Sequence, residues 1–237
     1  MIKNYLLKIL QKFIVFLNSR MRIKLQPSSP SDLYFEEVAK NSYETFKIHF
    51  KNAYVFSDDD SIRNFAINES IKRFDNSNLF LEFGVFKGDS INLFARNLKK
   101  IKGEIIGFDS FKGLKDEWMT EAFNPIGTFD LKGKKPKVYK NVKLIDGWVE
   151  ETLGNFISNN NKKVAFLHLD LDTYKSTSFV LKTLKNNFDK GTVILFDEFY
   201  GFPNWEKYEY KAFKEEIDDS KFKYIAFGSR QACVKII

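Results

Sequence analysis

Carboxylates recur in this chain at places where they are hard to explain as structure. Glu82, Asp109, Asp146, Asp170, Asp172, Asp197 and Glu198 each interrupt, close or directly follow a short apolar run. Acids are poor strand formers and repel one another when gathered. A single one reads as a helix cap; five successive runs carrying them read as a site. Two constellations separate by their neighbours. In the first, the apolar run 79–83, broken by Glu82, meets Gly84, Val85 and Gly88, and Asp89 and Ser90 then open a helical pattern through Ile91, Leu93, Phe94 and Leu98. A strand, a tight turn and a helix start let backbone approach a ligand and offer it free N–H groups. Asp109, at the end of the next run, is placed to accept both ribose hydroxyls of a nucleoside. The spacing is Glu-x-Gly-Val-x-x-Gly, not Gly-x-Gly-x-x-Gly. A pyrophosphate needs the crowded glycine set, whereas a nucleoside with an amino-acid tail can use an acid to hold its cationic amine. The expected cofactor is therefore S-adenosylmethionine and not NAD.

The second constellation is Asp170, Asp172, Asp197 and Glu198. Strand residues two apart share a face, so His168, Asp170 and Asp172 are expected to point one way, with Asp197-Glu198 ending the following run. Carboxylates that converge cannot all stay ionised without a cation. Oxygen ligands without cysteine suit magnesium, calcium or manganese better than zinc, and magnesium is the expectation. Helix-capping acids around an ordinary pocket are the plainer alternative, and His168 is expected in the core and not as a ligand. The aromatic loop Tyr200-Gly-Phe-Pro-Asn-Trp205 suits either stacking on a sugar ring or packing under the sheet.

The elements that must position these residues follow from the pattern. Strand-like runs fall at 79–85, 104–109, 142–145, 164–170, 192–197, 223–227 and 232–237, with helical patterns at 89–99, 149–158, 174–187 and 206–217. Strands alternating with helices predict an α/β fold: a seven-stranded, mostly parallel sheet with helices on both faces. Only Gly228-Ser-Arg-Gln231 separates the last two runs, too short for a parallel crossover, so they are predicted to pair as an antiparallel hairpin. Ligands of such sheets lie beyond the carboxyl ends of the strands, where the acids gather. Ser57-Asp-Asp-Asp-Ser61 predicts a helix cap; it lacks the glycine and terminal glutamate of a calcium loop.

With 43% hydrophobic residues, 26 of the 237 being Phe and 10 Tyr, the chain can bury a core and is not disordered. One cysteine, Cys233, excludes an internal disulfide framework and fits a reducing, cytoplasmic setting. The net charge is +7, but residues 1–24 hold six bases and no acid, which leaves the remainder at +1. A nucleic-acid surface is not supported. Residues 1–26 read as a basic amphipathic helix followed by a Pro/Ser linker. Its longest apolar run, residues 13–17, is too short to span a bilayer, and no small-residue cleavage site follows as in a signal peptide. It is expected either to lie on a membrane surface through residues 1–24 or to dock on its own domain or on a second subunit of a homo-oligomer. Residues 27–78 are read as a helical cap or substrate region, and 79–237 as the cofactor-binding catalytic domain.

Five stretches taken together resemble the metal- and S-adenosylmethionine-dependent sugar O-methyltransferases of the macrocin and mycinamicin type. They are Leu81-Glu-Phe-Gly-Val-Phe-Lys-Gly-Asp-Ser90, Gly107-Phe-Asp-Ser-Phe-Lys-Gly-Leu114, Asp146-Gly-Trp-Val-Glu-Glu-Thr-Leu153, Leu169-Asp-Leu-Asp-Thr-Tyr-Lys-Ser-Thr177 and Gly191-Thr-Val-Ile-Leu-Phe-Asp-Glu-Phe-Tyr200. The resemblance implies a class I methyltransferase fold. It implies that Glu82, Gly84 and Val85 line the methionine part of the cofactor, Asp109 and Ser110 its ribose, and Asp146 with Trp148 its adenine. It also implies that Asp170, Asp197 and Glu198 bind the metal, with Asp170 the base that takes the acceptor's proton. The chain departs from the family pattern at Glu198, where a second aspartate is expected, and at Lys112, where an acid is expected. A sugar or glycan is the implied acceptor. A phenolic or small-metabolite hydroxyl is the alternative, and a catalytically silent scaffold of the same fold is the third reading.

Overall fold

Three runs, Leu79–Phe83 (β2), Val164–Leu169 (β7) and Val193–Phe196 (β8), are buried along their whole length, as expected for the middle of a parallel sheet covered on both faces. The structure, a computed structural model, describes residues 29–237; the N-terminal arm lies outside the described residues. The chain divides into two compact units at Glu37/Val38. Of the first, the described part is the opening of helix α1, Pro30–Phe50. There Ser29 Oγ accepts from Asp32 N at 3.2 Å and the Asp32 carboxylate accepts from Ser29 N at 3.0 Å, a reciprocal cap.

The second unit, Val38–Ile237, holds the sheet. Its further elements are β1 (Tyr54–Val55), α2 (Asp59–Ser70), α3 (Asp89–Leu98), β3 (Ile105–Asp109), β4 (Trp118–Met119), β5 (Phe123–Asn124), β6 (Val142–Asp146), α4 (Val149–Asn159), α5 (Tyr174–Leu184), α6 (Glu209–Glu216), β9 (Phe222–Phe227) and β10 (Ala232–Ile236). The strand order is β1-β9-β10-β8-β7-β2-β3-β6, parallel except that β10 runs antiparallel to both β8 and β9. The seven expected strands and the terminal hairpin are all present. An eighth strand, β1, adds to the edge beside β9, and β4 with β5 forms a separate hairpin.

The helices cover both faces. Ile62, Ala66 and Ile67 of α2 share one core cluster with Phe80, Ala165 and Phe166 of the sheet, so residues 59–70, read from the sequence as part of a cap, pack on the sheet itself. Asp58 caps α2 by accepting from Ser61 N at 2.9 Å, as the Ser-Asp-Asp-Asp-Ser run predicts. The other face collects Phe46, Phe199, Phe202, Trp205, Tyr224 and Phe227 with α5 and α6. Tyr200, Phe202 and Trp205 are all buried there, with Phe46 at ring-centroid distances of 5.3 Å from Tyr200 and 5.6 Å from Trp205. The aromatic loop is core, not a wall for a sugar. Among the described residues no helix is long and apolar enough to cross a membrane.

Candidate active site

From β2 the chain builds outward through β3 to β6, then returns to lay β7 and β8 on the other side of β2. The crevice at this reversal, beyond the carboxyl ends of β2 and β7, is where open α/β sheets bind ligands. Gly84 and Asp170 meet there. Asp170 N donates to Phe83 O at 2.9 Å, and Gly84, at φ +86°, leaves no room for a side chain: a Cβ would fall 1.8 Å from the Asp170 carbonyl oxygen. The first reason for this glycine is thus the neighbouring strand end, which brings the two constellations together.

A cavity of about 280 Å³ opens above this contact. Of the residues expected at the cofactor, Gly84, Asp109, Ser110 and Trp148 line it, as do Asp170, Asp197 and Glu198 from the expected metal set, together with Asp172. The remaining expected residues are not among its walls. Glu82 is fully buried beneath, accepting from Ser90 Oγ and lying 2.9 Å from His168 Nδ1. Val85 is in the core. Gly88 starts α3 at φ +84° and faces Pro136. Asp146 is exposed and pairs with Lys135 at 3.2 Å.

On the glycine-turn side the carboxylate of Asp109 is fixed by backbone. Its Oδ2 accepts from Val85 N and Phe86 N, each at 2.8 Å, and its Oδ1 accepts from Phe111 N at 2.6 Å. Three of its roughly four acceptor sites are therefore used by backbone, two in ordering the glycine turn and one in ordering the loop after β3. Trp148 stands at the start of α4, with Lys115 Nζ 5.4 Å from its ring centroid. The roof comes from the long segment between β3 and β6, through Lys115, Trp118 and Phe129.

On the other side the acids are crowded. Nδ1 or Nε2 of His168 and a carboxylate oxygen of each of Asp170 and Asp197 all lie within 4.8 Å of one another. Glu198 is not part of that group; its Oε2 faces Arg230 Nη1 at 3.4 Å. Burial, reinforced by the charges of Asp197 and Asp172, raises Asp170 well above the usual carboxylate range. Burial with Glu198 and Asp197 does the same to Asp172. Burial also pushes Glu198 up to about 7, Arg230 opposing and Asp197 adding to it. Asp197 goes the other way: although burial opposes ionisation, His168 and Arg63 hold its carboxyl well below the usual range. Glu209, on α6, is fully buried, accepts from Glu198 N at 3.1 Å through Oε2, and leaves Oε1 without a partner. Burial together with the charges of Asp172 and Asp197 raises its carboxyl too.

This excess of buried carboxyls over cations, with an orphaned acid oxygen among them, fits a hard divalent ion. The carboxylates of Asp170 and Asp197 suit magnesium or manganese, while both ring nitrogens of His168 are already engaged by Glu82 and Asp197.

Residues 81–199 match the family described as a methyltransferase domain. The chain belongs to that family. Its methyltransferase fold is shared by calicheamicin methyltransferase CalS11, with a TM-score of 0.61 at 20% identity over 88% of this chain and 94% of that one. The apo structure of CalS11, described as a TDP-rhamnose 3'-O-methyltransferase, gives 0.56 at 20% identity, covering 88% and 96%. The O-methyltransferase NovP gives 0.55 at 16% identity, covering 87% and 99%. At these identities the likeness is one of fold: a class I methyltransferase. No curated protein sequence matches the chain.

Several residues of this methyltransferase's site are not legible as such in the sequence. Arg63 on α2 and Gln231 at the β9–β10 turn both donate to Asp197. Arg230 joins Glu198 to Glu121 of the β4–β5 hairpin. None belongs to a spaced motif; a lone arginine on a helix looks like part of a solvated face. His168 had a signal, its place two residues before Asp170, but a buried imidazole between two acids cannot be told from a core histidine by spacing.

Proposed function

We propose that this methyltransferase transfers the methyl group of S-adenosylmethionine to a hydroxyl of a sugar or glycan, in the manner of the macrocin and mycinamicin type. One observation carries the reading: a single cavity joins a glycine turn and Asp109 on one side to a cluster of buried acids and His168 on the other. The sugar acceptor is supported by the resemblance in the motifs and by a fold shared with one enzyme, CalS11, described as a TDP-rhamnose 3'-O-methyltransferase of calicheamicin biosynthesis.

The chemistry follows from the two sides. Gly84, Asp109, Ser110 and Trp148 hold the donor, so that its sulfonium methyl faces the ends of β7 and β8. The acceptor oxygen attacks in line with the methyl–sulfur bond; an O–C bond forms, the S–C bond breaks with its electron pair left on sulfur, and S-adenosylhomocysteine departs. Holding both reactants at contact distance supplies much of the rate. The hydroxyl proton passes to Asp170, which stands at the cavity wall beside Asp172 and Asp197. Asp170 and Asp197, with Glu198 beside them, would hold a divalent cation, which when bound supplies Lewis-acid polarisation of the hydroxyl; His168, bonded to Glu82 on one side and to Asp197 on the other, positions Asp197. Glu82 and Ser90 steady His168 from below. Trp118 and Phe129 give the acceptor side an apolar wall.

We place the protein in the cytoplasm, with residues 1–24 meeting a membrane surface, their own domain or a second subunit. The test of function is a screen of nucleotide sugars, glycans and phenols with labelled S-adenosylmethionine and magnesium. Label transferred to a sugar hydroxyl supports the proposal; label on phenols alone, or on nothing despite bound cofactor, contradicts it.

A further inference from the structure

Asp197 receives more donors than a metal ligand at a cavity wall needs. Arg63 Nη2 lies 2.8 Å from its Oδ1, His168 Nε2 3.4 Å from the same oxygen, and Gln231 Nε2 bonds there too. The Arg63 side chain is 16% exposed, and its Nε is buried with no partner. The guanidinium is thus held by the acids around it and not by a complete set of hydrogen bonds; Asp197, Asp170 and Asp59 all favour its charge against the cost of burial. It comes from α2, outside the family match, and reaches the same carboxylate that closes the His168–Asp170–Asp197 cluster.

Resting on the metal reading above, we propose that Arg63 is an internal competitor of the divalent ion: a fixed positive charge on Asp197 that weakens metal binding at the cluster. A guanidinium cannot be discharged at working pH, so any ion drawn to Asp197 meets a permanent like charge in direct contact with its ligand. The consequence is a weakly held, exchangeable ion, and a pocket whose acids stay partly neutralised when the ion leaves. A scaffold role would act in the opposite sense: Arg63 would then orient Asp197 for the ion, and its loss would weaken binding.

The two are separated by titrating the full-length protein with Mn2+ alone and following free Mn2+ by electron paramagnetic resonance. Arg63→Gln and Arg63→Met, which remove the charge, are expected to bind Mn2+ at least about tenfold more tightly than the native protein, the scale a nearby unit charge exerts at a high effective dielectric. Arg63→Lys, which keeps the charge, is expected to stay within about threefold of native. Calorimetry with S-adenosylhomocysteine and a circular dichroism melt identify folded variants, and either charge-free variant suffices. Binding in the charge-free variants alone also supports the proposal. Equal or weaker Mn2+ affinity in a folded charge-free variant overturns the role of Arg63 and leaves the methyltransferase reading standing. No Mn2+ binding in any form overturns it together with the metal dependence.

Discussion

Asp109 and Asp197 each follow or close a strand of one sheet and line one cavity, yet they are held in opposite ways. Asp109 is fixed by three backbone amides, those of Val85 and Phe86 in the glycine turn and that of Phe111 just after its own strand. Asp197 is fixed by side chains from three separate elements: Arg63 of α2, His168 of β7 and Gln231 beside β10. The donor side is local architecture, with every partner inside the family match at 81–199. The acid side is a tertiary assembly, and two of its three partners lie outside that match. The glycine turn thus orders its own wall, while the other wall depends on side chains from outside the family match.

If the two sides are separable, mutations should divide between them. The largest expected effect is on the acid side: Asp170→Asn or Asp197→Asn lowers turnover by about 10²–10⁴-fold, while affinity for S-adenosylhomocysteine in calorimetry changes less than about threefold. Paired losses of turnover and cofactor binding would break the division. Gly84→Ala strikes the seam itself, since its Cβ would collide with the Asp170 carbonyl at positive φ. It is expected to destabilise the fold by about 3 kcal/mol in urea denaturation and to weaken both sides. A Gly84→Ala protein of native stability would mean that the two strand ends do not meet as described.

Asp109→Ala leaves three backbone donors without their acceptor, at a cost of about 2–3 kcal/mol in stability. It should weaken S-adenosylhomocysteine binding about tenfold or more while leaving Mn2+ affinity as in the native protein. Lost Mn2+ binding in this variant would count against two independent sides. The smallest effect is expected at Lys115→Ala, which removes a partly exposed cation over Trp148 and an ion pair with Glu150 at 3.0 Å. A change in cofactor affinity of about two- to threefold is expected by calorimetry.

This contrast also explains what could be read from the sequence. Alternating apolar runs give the strand order's raw material, and the four-residue gap at 228–231 gives the hairpin, because both are local signals. Asp109, Asp170 and Asp197 are legible because each ends a buried run. β1 is not: two exposed residues, Tyr54 and Val55, carry no periodicity. The roof between β3 and β6 is not legible either, since its short β4–β5 hairpin lacks alternation and is held by distant contacts such as Tyr208 Oη with Met119 N at 2.9 Å. Period-two reasoning puts His168, Asp170 and Asp172 on one face, but the strand ends at Leu169 and Asp172 sits at φ +60°, where alternation no longer applies. The buried side chains of Glu82 and Ser90 illustrate the same limit: spacing placed them at the turn but could not say on which side of the backbone they lie.

The proposed chemistry needs one cavity to hold a methyl donor against the Gly84–Asp109 wall and a hard cation against the Asp170–Asp197 wall. Crystals grown with S-adenosylhomocysteine and manganese test it most directly, through the anomalous difference map. A manganese peak in contact with Asp170 and Asp197 and density for the nucleoside beside Asp109 are expected. A peak elsewhere, or a nucleoside bound away from Asp109, would contradict it.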